Sequence, residues 1–314
     1  MTDHFDQLEL RSVEQRETEQ FAALRDILTF AIPNARGLAA HLDGVAVETL
    51  TDRAALARLP VLRKSDLAAR QTETDPLGGL TSKPPFRFRH LFMSPGPIFE
   101  PGGDSRDWWR MGRFLHAAGF RPGDIVQNCF SYHLTPAGHM FESAAAAIGA
   151  TVVPAGIGQT EQQVAAAAHL GVNGYAGTPD YLKTILEKAD ELGVALKIAK
   201  AAVSGGALFP SLKAFYEGRG ITVRQCYGTA DAGNIAYESL AAEGMIIDEG
   251  VILEIVRPGT GEPLPEGEVG EVVVTVLNPD YPLVRFATGD MSAIMDGQSP
   301  CGRTNKRIRG WLGR

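Results

Sequence analysis

The chain has 314 residues, 44% of them apolar and 21% charged, with 30 basic against 37 acidic side chains and a formal net charge of −7. That is the composition of a folded globular protein of about two domains, and it excludes disordered and fibrous classes. The acidic balance disfavours a nucleic-acid partner, although a local basic groove can sit on an acidic protein.

Met1 to Glu19 is acidic and polar with no apolar core, so no signal peptide is expected there. No charge-free apolar stretch approaches the roughly 18 residues of a membrane span. A cytoplasmic protein without a membrane partner is the expectation. Glu14 to Ala31 reads as a helix, with Phe21, Leu24, Ile27 and Leu28 on one face and Pro33 as its stop. A short helix around Asp52 to Leu59 follows, then Pro60 and another helix beginning near Ser65. Residues 72–105 are rich in Gly, Pro, Ser and Thr and read as loops around one short strand, Phe86 to Met93.

From residue 105 the pattern changes. Ser105 to Ala118 is predicted helical, Arg121 to Asp124 a turn and Ile125 to Phe130 a strand. Then come a helix at Met140 to Ile148, a strand at Thr151 to Pro154, a helix at Glu161 to His169, and a strand near Gly174 to Ala176. Next follow a helix at Pro179 to Leu192, a strand at Leu196 to Val203, a helix at Pro210 to Glu217, and a strand at Ile221 to Gln225. Such alternation implies right-handed βαβ crossovers and a largely parallel sheet. Ligands of these sheets sit at the carboxyl ends of the strands, so the informative loops follow Phe130, Pro154, Ala176, Val203 and Cys226. After about Ala242 the apolar runs Val251 to Val256 and Val269 to Val276, joined by the turn-rich Arg257 to Gly267, predict a small antiparallel β subdomain.

Three segments carry candidate chemistry. Met93-Ser94-Pro95-Gly96-Pro97 is a Gly/Ser loop after a strand, able in principle to cradle phosphate with backbone N–H groups. Pro95 and Pro97 remove donors and no lysine follows, so a structural turn competes with that reading. Tyr227-Gly228-Thr229-Ala230-Asp231-Ala232-Gly233 follows a strand, and a carboxylate there can hold Mg²⁺ beside substrate phosphates; an ordinary turn aspartate is the alternative. Asp290, in Arg285-Phe286-Ala287-Thr288-Gly289-Asp290, could accept hydrogen bonds from a ribose diol, though Thr-Gly-Asp alone is a common turn. His133 follows Ser131 and Tyr132 in a strand-exit loop, where a pocket-lining or structural role competes with that of a catalytic base. Cys129, Cys226 and Cys301 form neither a disulfide framework nor a Cys-x-x-Cys site.

Taken in order, these segments resemble the AMP-forming adenylating enzymes, specifically the phenylacetate–coenzyme A ligase branch. Gly119 to Asn128 resembles the segment before that branch's acyl-pocket loop, Gly149 to Ala155 its next strand and Gly177-Thr178-Pro179 its Thr-Pro loop. Ser204-Gly205-Gly206-Ala207 falls where the family has an adenine-side glycine-rich loop. Tyr227 to Gly233 resembles Tyr-Gly-x-(Ser/Thr)-Glu, and Pro282 to Asp290 resembles Pro-Leu-Ile-Arg-Tyr-Arg-Thr-Gly-Asp.

The resemblance implies an α/β fold, the large N-terminal core of an acyl-adenylating enzyme, with mostly parallel layered sheets and helices plus a small antiparallel β subdomain. It places an adenylation core at 1–241 and the β subdomain at 242–314, ending at the hinge. It implies ATP-dependent activation of a carboxylic acid, an aromatic one in this branch, as an acyl-adenylate, with transfer to coenzyme A. ATP or AMP, Mg²⁺ and coenzyme A are the implied ligands, and a homodimer the implied assembly. By matching positions, Asp231 is the Mg²⁺-side acid, grouped with Thr229 and His133 as catalytic residues. Ser94 and Gly96 fall in the phosphate loop, while Gly205, Gly206, Ala207 and Tyr227 flank adenine. Tyr132, His133 and Thr135, with Gly228 and Thr229, border the carboxylate pocket. Asp290 is the ribose acid, and Arg314 is the hinge-proximal arginine near it.

The departures point elsewhere. The phosphate loop has lost the family's hydroxyls and lysine, and Glu100 brings a like charge towards phosphate. The family's acidic Glu is shortened to Asp231, and its second arginine before Thr-Gly-Asp is Ala287. Glu238, Ser239 and Met245 occupy the region of a zinc site found in many relatives, with Cys301 remaining from it, so that site is expected to be lost. The chain stops at Gly313-Arg314, where the family's C-terminal lid domain would begin. A truncated form and a stand-alone core are both consistent with this, and a separate C-terminal domain or partner is a further expectation. The competing function is a degenerate, non-catalytic homologue that binds a nucleotide or carboxylate.

Overall fold

A computed structural model describes residues 4–314. Residues 105–243 form one compact unit, and residues 6–104 with 244–314 form another.

The second unit begins with α1 (Val13–Ala31), whose Ser12 hydroxyl accepts from Gln15 N at 3.1 Å and so satisfies one of the donors a helix start leaves open. Its apolar face, Phe21, Leu24, Leu28 and Ala31, packs in a core that includes Leu38 of α2 (Arg36–His41) and Leu56 of α3 (Arg53–Ala57), together with Ile252 and Val284. Asp52 caps α3 through Ala55 N at 2.8 Å. Strand β1 (Leu62–Arg63) and helix α4 (Lys64–Arg70) follow.

The single strand expected at Phe86 to Met93 is instead a hairpin, β2 (His90–Ser94) and β3 (Ile98–Gly102), with Met93 opposite Phe99 and Ser94 opposite Ile98. Pro95, Gly96 and Pro97 form its turn. Residues of this segment that read as loop on glycine and proline content pair because Phe92, Ile98 and Glu100 all point to a buried face. The Gln71 carboxamide donates to Phe99 O at 2.6 Å and accepts from Phe99 N at 2.8 Å.

In the first unit, α5 covers only Gly112–Ala117 of the predicted Ser105 to Ala118 helix. Asp107 and Arg110 adopt left-handed backbone angles, φ 55° and 61°, which end any helix there. The Asp107 carboxylate accepts from Gly112 N at 2.8 Å, acting as a cap ahead of the helix and not as part of it. Beyond lie β4 (Ile125–Asn128), α6 (Ala137–Ile148), β5 (Thr151–Pro154), α7 (Thr160–Leu170), β6 (Gly174–Gly177), α8 (Pro179–Glu191), β7 (Lys200–Val203), α9 (Pro210–Glu217), β8 (Thr222–Thr229) and β9 (Gly233–Tyr237).

These strands form a sheet in the order β9-β8-β7-β6-β4-β5, parallel throughout except for the antiparallel β8–β9 pair. Pro179 and Pro210 each open their helix at the first turn, where a missing N–H costs nothing. The core on one face gathers Val164, Tyr175, Leu182, Ile185, Val203, Tyr216 and Val223. At the amino ends of the strands, Asp124 accepts from Lys200 Nζ at 2.8 Å, Asn173 Nδ2 at 2.9 Å and Arg121 N at 2.6 Å.

The second unit resumes with β10 (Met245–Ile247), β11 (Val251–Val256), β12 (Gly270–Val276), β13 (Phe286–Ser292), β14 (Ile294–Met295) and β15 (Arg307–Ile308). The antiparallel meander β11-β12-β13 takes β1 as a parallel edge strand, while β14, β15 and β10 pair antiparallel in that order. The apolar runs Val251 to Val256 and Val269 to Val276 give β11 and β12, paired antiparallel as expected. No helix among the described residues is long and apolar enough to cross a membrane.

Candidate functional site

Three loops leave the carboxyl ends of the first unit's parallel strands, and each carries residues singled out by sequence. The first links β4 to α6. Asn128 Nδ2 donates to Tyr132 OH at 2.8 Å and to Gly138 O at 2.8 Å. A Cβ at Gly138 would lie 2.8 Å from Cγ and Cδ2 of Tyr132, so only glycine lets that ring rest on the first turn of α6. The ring also meets His139 edge-on, with centroids 5.2 Å apart. Burial first, then the neighbouring Glu142, pushes the Tyr132 phenol well above its ordinary value, so it stays a neutral hydroxyl. His133 and Thr135 project from a tight bend in which Thr135 N donates to His133 O at 2.7 Å and Leu134 is left-handed. His133 is exposed and Thr135 half-buried.

The second loop links β7 to α9. Ser204 Oγ donates to Cys226 O at 3.2 Å, tying the loop to the neighbouring strand β8. Gly205, Gly206 and Ala207 stand exposed beyond it. A run of small residues there leaves backbone open to a flat ligand.

The third is not the strand-exit loop that sequence suggested. Strand β8 runs on to Thr229, so Tyr227, Gly228 and Thr229 are strand residues paired with β9, and only Ala230, Asp231 and Ala232 form the turn. Gly233 closes the turn at φ 70°, and a Cβ there would meet Trp109 O at 2.8 Å. Thr229 Oγ1 accepts from Ala232 N at 3.0 Å and shapes the turn. The Arg110 guanidinium donates to the carbonyls of Ala232 and Asn234. The non-helical stretch before α5 therefore buttresses this hairpin. Asp231, 6% exposed, sits at its tip.

The second unit holds the other sequence candidates. Between the pairs Val273↔Ala287 and Glu271↔Met291, residues 288–290 oppose the single residue Val272. Thr288-Gly289-Asp290 is thus a bulge, a device that re-aims side chains out of a ladder. Thr288 Oγ1 donates to Val272 O at 3.1 Å and accepts from Asp290 N at 3.2 Å. Asp290 Oδ1 accepts from Arg314 Nε at 2.8 Å and from Trp311 Nε1 at 3.1 Å. Asp290 and Arg314 are thus brought together, and Trp311 joins them; a lone tryptophan carries no signal of this in the sequence.

Ser94 is buried in the β2–β3 hairpin, and its hydroxyl donates to the Glu100 carboxylate. Gly96 is exposed at the turn between two prolines that carry no N–H, so the turn offers one backbone donor where an anion cradle uses several.

Among the described residues no group of three or more His, Cys, Asp or Glu side chains gathers as a metal cage. Glu238 accepts from Gln225 N and Nε2 at 3.2 and 3.0 Å. In the second unit Cys301 Sγ lies 3.0 Å from Ser299 Oγ and accepts from Arg303 Nη1 at 3.5 Å, while Arg303 pairs with buried Glu9 at 3.0 Å. Burial pushes the Cys129 and Cys226 thiols up to about 12, which makes them inert.

With this geometry in place, comparison with known proteins gives a consistent result. Residues 108–276 match the AMP-binding enzyme family. The chain is 34% identical over 211 residues to a phenylacetate-coenzyme A ligase of Thermus thermophilus, covering 64% of this chain and 47% of that protein. It is 28% identical to a phenylacetate-coenzyme A ligase of Pseudomonas putida, over 97% of this chain and 72% of the relative. Among solved structures, 2-hydroxyisobutyryl-CoA ligase in a postadenylation state with 2-HIB-AMP aligns with a TM-score of 0.89 at 23% identity, covering 98% of this chain and 70% of that one. The match thus spans about half the length of the Thermus relative.

Proposed function

Because the chain belongs to the AMP-binding enzyme family, we propose that it activates a small carboxylic acid, an aromatic one, with ATP. The products are an acyl-adenylate and pyrophosphate, and the acyl group then passes to the thiol of coenzyme A. The observation that carries this reading is the placing of the β7–α9 glycine loop and the Asp231 hairpin on adjacent strands of one sheet, both at its carboxyl edge. Adenine between Gly205–Ala207 and Tyr227 would set the nucleotide's direction along that edge. The β4–α6 loop, with Tyr132, His133 and Thr135, would border the acid.

The chemistry needs little covalent help from the protein. A carboxylate oxygen attacks the α-phosphorus, pyrophosphate leaves, and the resulting mixed anhydride has a carbonyl that a thiol can attack with AMP as leaving group. What the chain must do is hold two anions in line and spread the developing charge. Asp231 is a hard oxygen donor of the kind Mg²⁺ accepts singly alongside substrate phosphates, so it fits as the residue that would hold the ion. The ion would supply charge neutralisation at the transferring phosphoryl group. Thr229, by shaping the turn, keeps Asp231 in place. The thioester half-reaction, which the resemblance gives to a lid domain, belongs to this proposal, as does self-association.

A second reading has its own observation. The Ser94–Glu100 hydrogen bond and the flanking prolines leave the β2–β3 turn poor in donors, which favours a chain that binds AMP or an acyl-adenylate and handles ATP weakly.

Calorimetric titration of ATP and AMP, with and without Mg²⁺, separates the two, followed by a carboxylate screen for acyl-AMP by mass spectrometry. Mg²⁺-assisted ATP binding with adenylate formation supports the ligase. AMP binding without ATP preference supports the second reading. No binding of either at millimolar concentration defeats both.

A further inference from the structure

Asp290 is gripped from its own chain before any ligand is considered. The tail after β15 runs along β13, with Leu312 N donating to Met291 O at 2.9 Å and Met291 N donating to Gly313 O at 2.8 Å. This pairing sets Trp311 and Arg314 on the same side, and both donate to Oδ1 of Asp290, at 3.1 and 2.8 Å. The two donors differ in kind. The Arg314 side chain is 74% exposed, so its charge is largely screened by water and salt. The Trp311 indole N–H is neutral, has no acceptor role and has one direction in which to donate.

We infer that Trp311 is a positioning residue: its N–H···Oδ1 bond fixes the plane of the Asp290 carboxylate for a ribose diol. This rests on Asp290 being the ribose acceptor, the role that the family resemblance implies for it. A carboxylate accepts about four hydrogen bonds, so a diol can join donors already in place. A carboxylate whose rotation is already stopped loses less freedom when the diol binds, and that saving appears as affinity. The contribution is specific to the hydroxyls: a nucleotide lacking them gains nothing from a fixed carboxylate.

The test titrates AMP and 2′,3′-dideoxy-AMP by calorimetry into the 314-residue protein and into its W311F, W311H and D290N variants. W311F keeps an aromatic ring at a surface position and removes the N–H; W311H returns a ring N–H. W311F weakens AMP binding about fivefold, the scale of immobilising one side chain on binding, and leaves dideoxy-AMP unchanged, while W311H recovers most of the loss. D290N brings AMP down to the level of dideoxy-AMP. Equal weakening of both nucleotides by W311F, or of neither, overturns the positioning role. Wild-type protein that binds the two nucleotides equally, or binds neither, or a D290N variant that still prefers AMP, overturns the ribose reading of Asp290 and this inference with it.

Discussion

The Arg285 guanidinium meets the Glu254 carboxylate at two points inside the second unit, Nε to Oε2 at 3.0 Å and Nη2 to Oε1 at 3.1 Å. Both side chains are almost fully buried, 2% and 4% exposed. Arg285 also donates to the carbonyls of Ala57, Leu59 and Gly261, so its fork joins the segment after α3, the turn before β12 and strand β11. Its own backbone is left-handed, at φ 47°.

Removing one partner leaves the other charged and buried. R285M alone and E254L alone each lower unfolding stability by about 3–5 kcal/mol, whereas the double variant recovers most of that loss. Urea denaturation midpoints with an unchanged slope are the measurement, and additive losses in the double variant would contradict the pairing.

The same pair predicts a pH trend. Burial pushes the Glu254 carboxyl above its ordinary 4.5, with Arg285 pulling it back. A raised folded value means that the folded protein holds this proton more tightly than the unfolded chain does. The group's contribution is therefore full below about 4.5 and is lost as pH rises through the raised value. The stability difference between wild type and E254Q should shrink across that window, and a difference that grows with pH there would reverse the sign.

Gly233 has two reasons to be glycine, its positive φ and the nearby Trp109 carbonyl. G233A costs about 2 kcal/mol or more of stability and displaces Asp231 with the turn. Equal thermal midpoints for G233A and wild type would show that the hairpin has another shape.

On the proposed function, D231N weakens Mg²⁺-ATP about tenfold and leaves AMP alone, because the missing charge matters where metal and polyphosphate meet. Calorimetry with both nucleotides reads the difference, and equal weakening of ATP and AMP would take Asp231 out of metal binding.

Much of the first unit was legible because its signals are local. Pro179 and Pro210 open helices, Gly149 and Gly171 close them in left-handed conformation, and apolar strands lie between. The stretch from Ser105 differs from its sequence reading because its apolar spacing suits a helix, while Asp107 and Arg110 bond to backbone elsewhere and take left-handed angles. Strand β8 runs past the end that sequence predicts because Gly228 and Thr229 look like turn residues, while their pairing with β9 is tertiary. The grip of Trp311 on Asp290 joins residues 21 apart across a bulge, which no spacing rule encodes.

The Gln71 carboxamide on Phe99 has a consequence for how this protein behaves when crowded. With one N–H and one C=O, it imitates a single residue of a third strand against the outer rim of β3. A two-stranded ribbon otherwise offers an open ladder to any extended chain that drifts alongside, and exposed Leu91 and Phe99 would reward such a visitor. The glutamine is a cork in that ladder. One uncharged side chain thus takes up the pair of Phe99 backbone groups that an added strand would use.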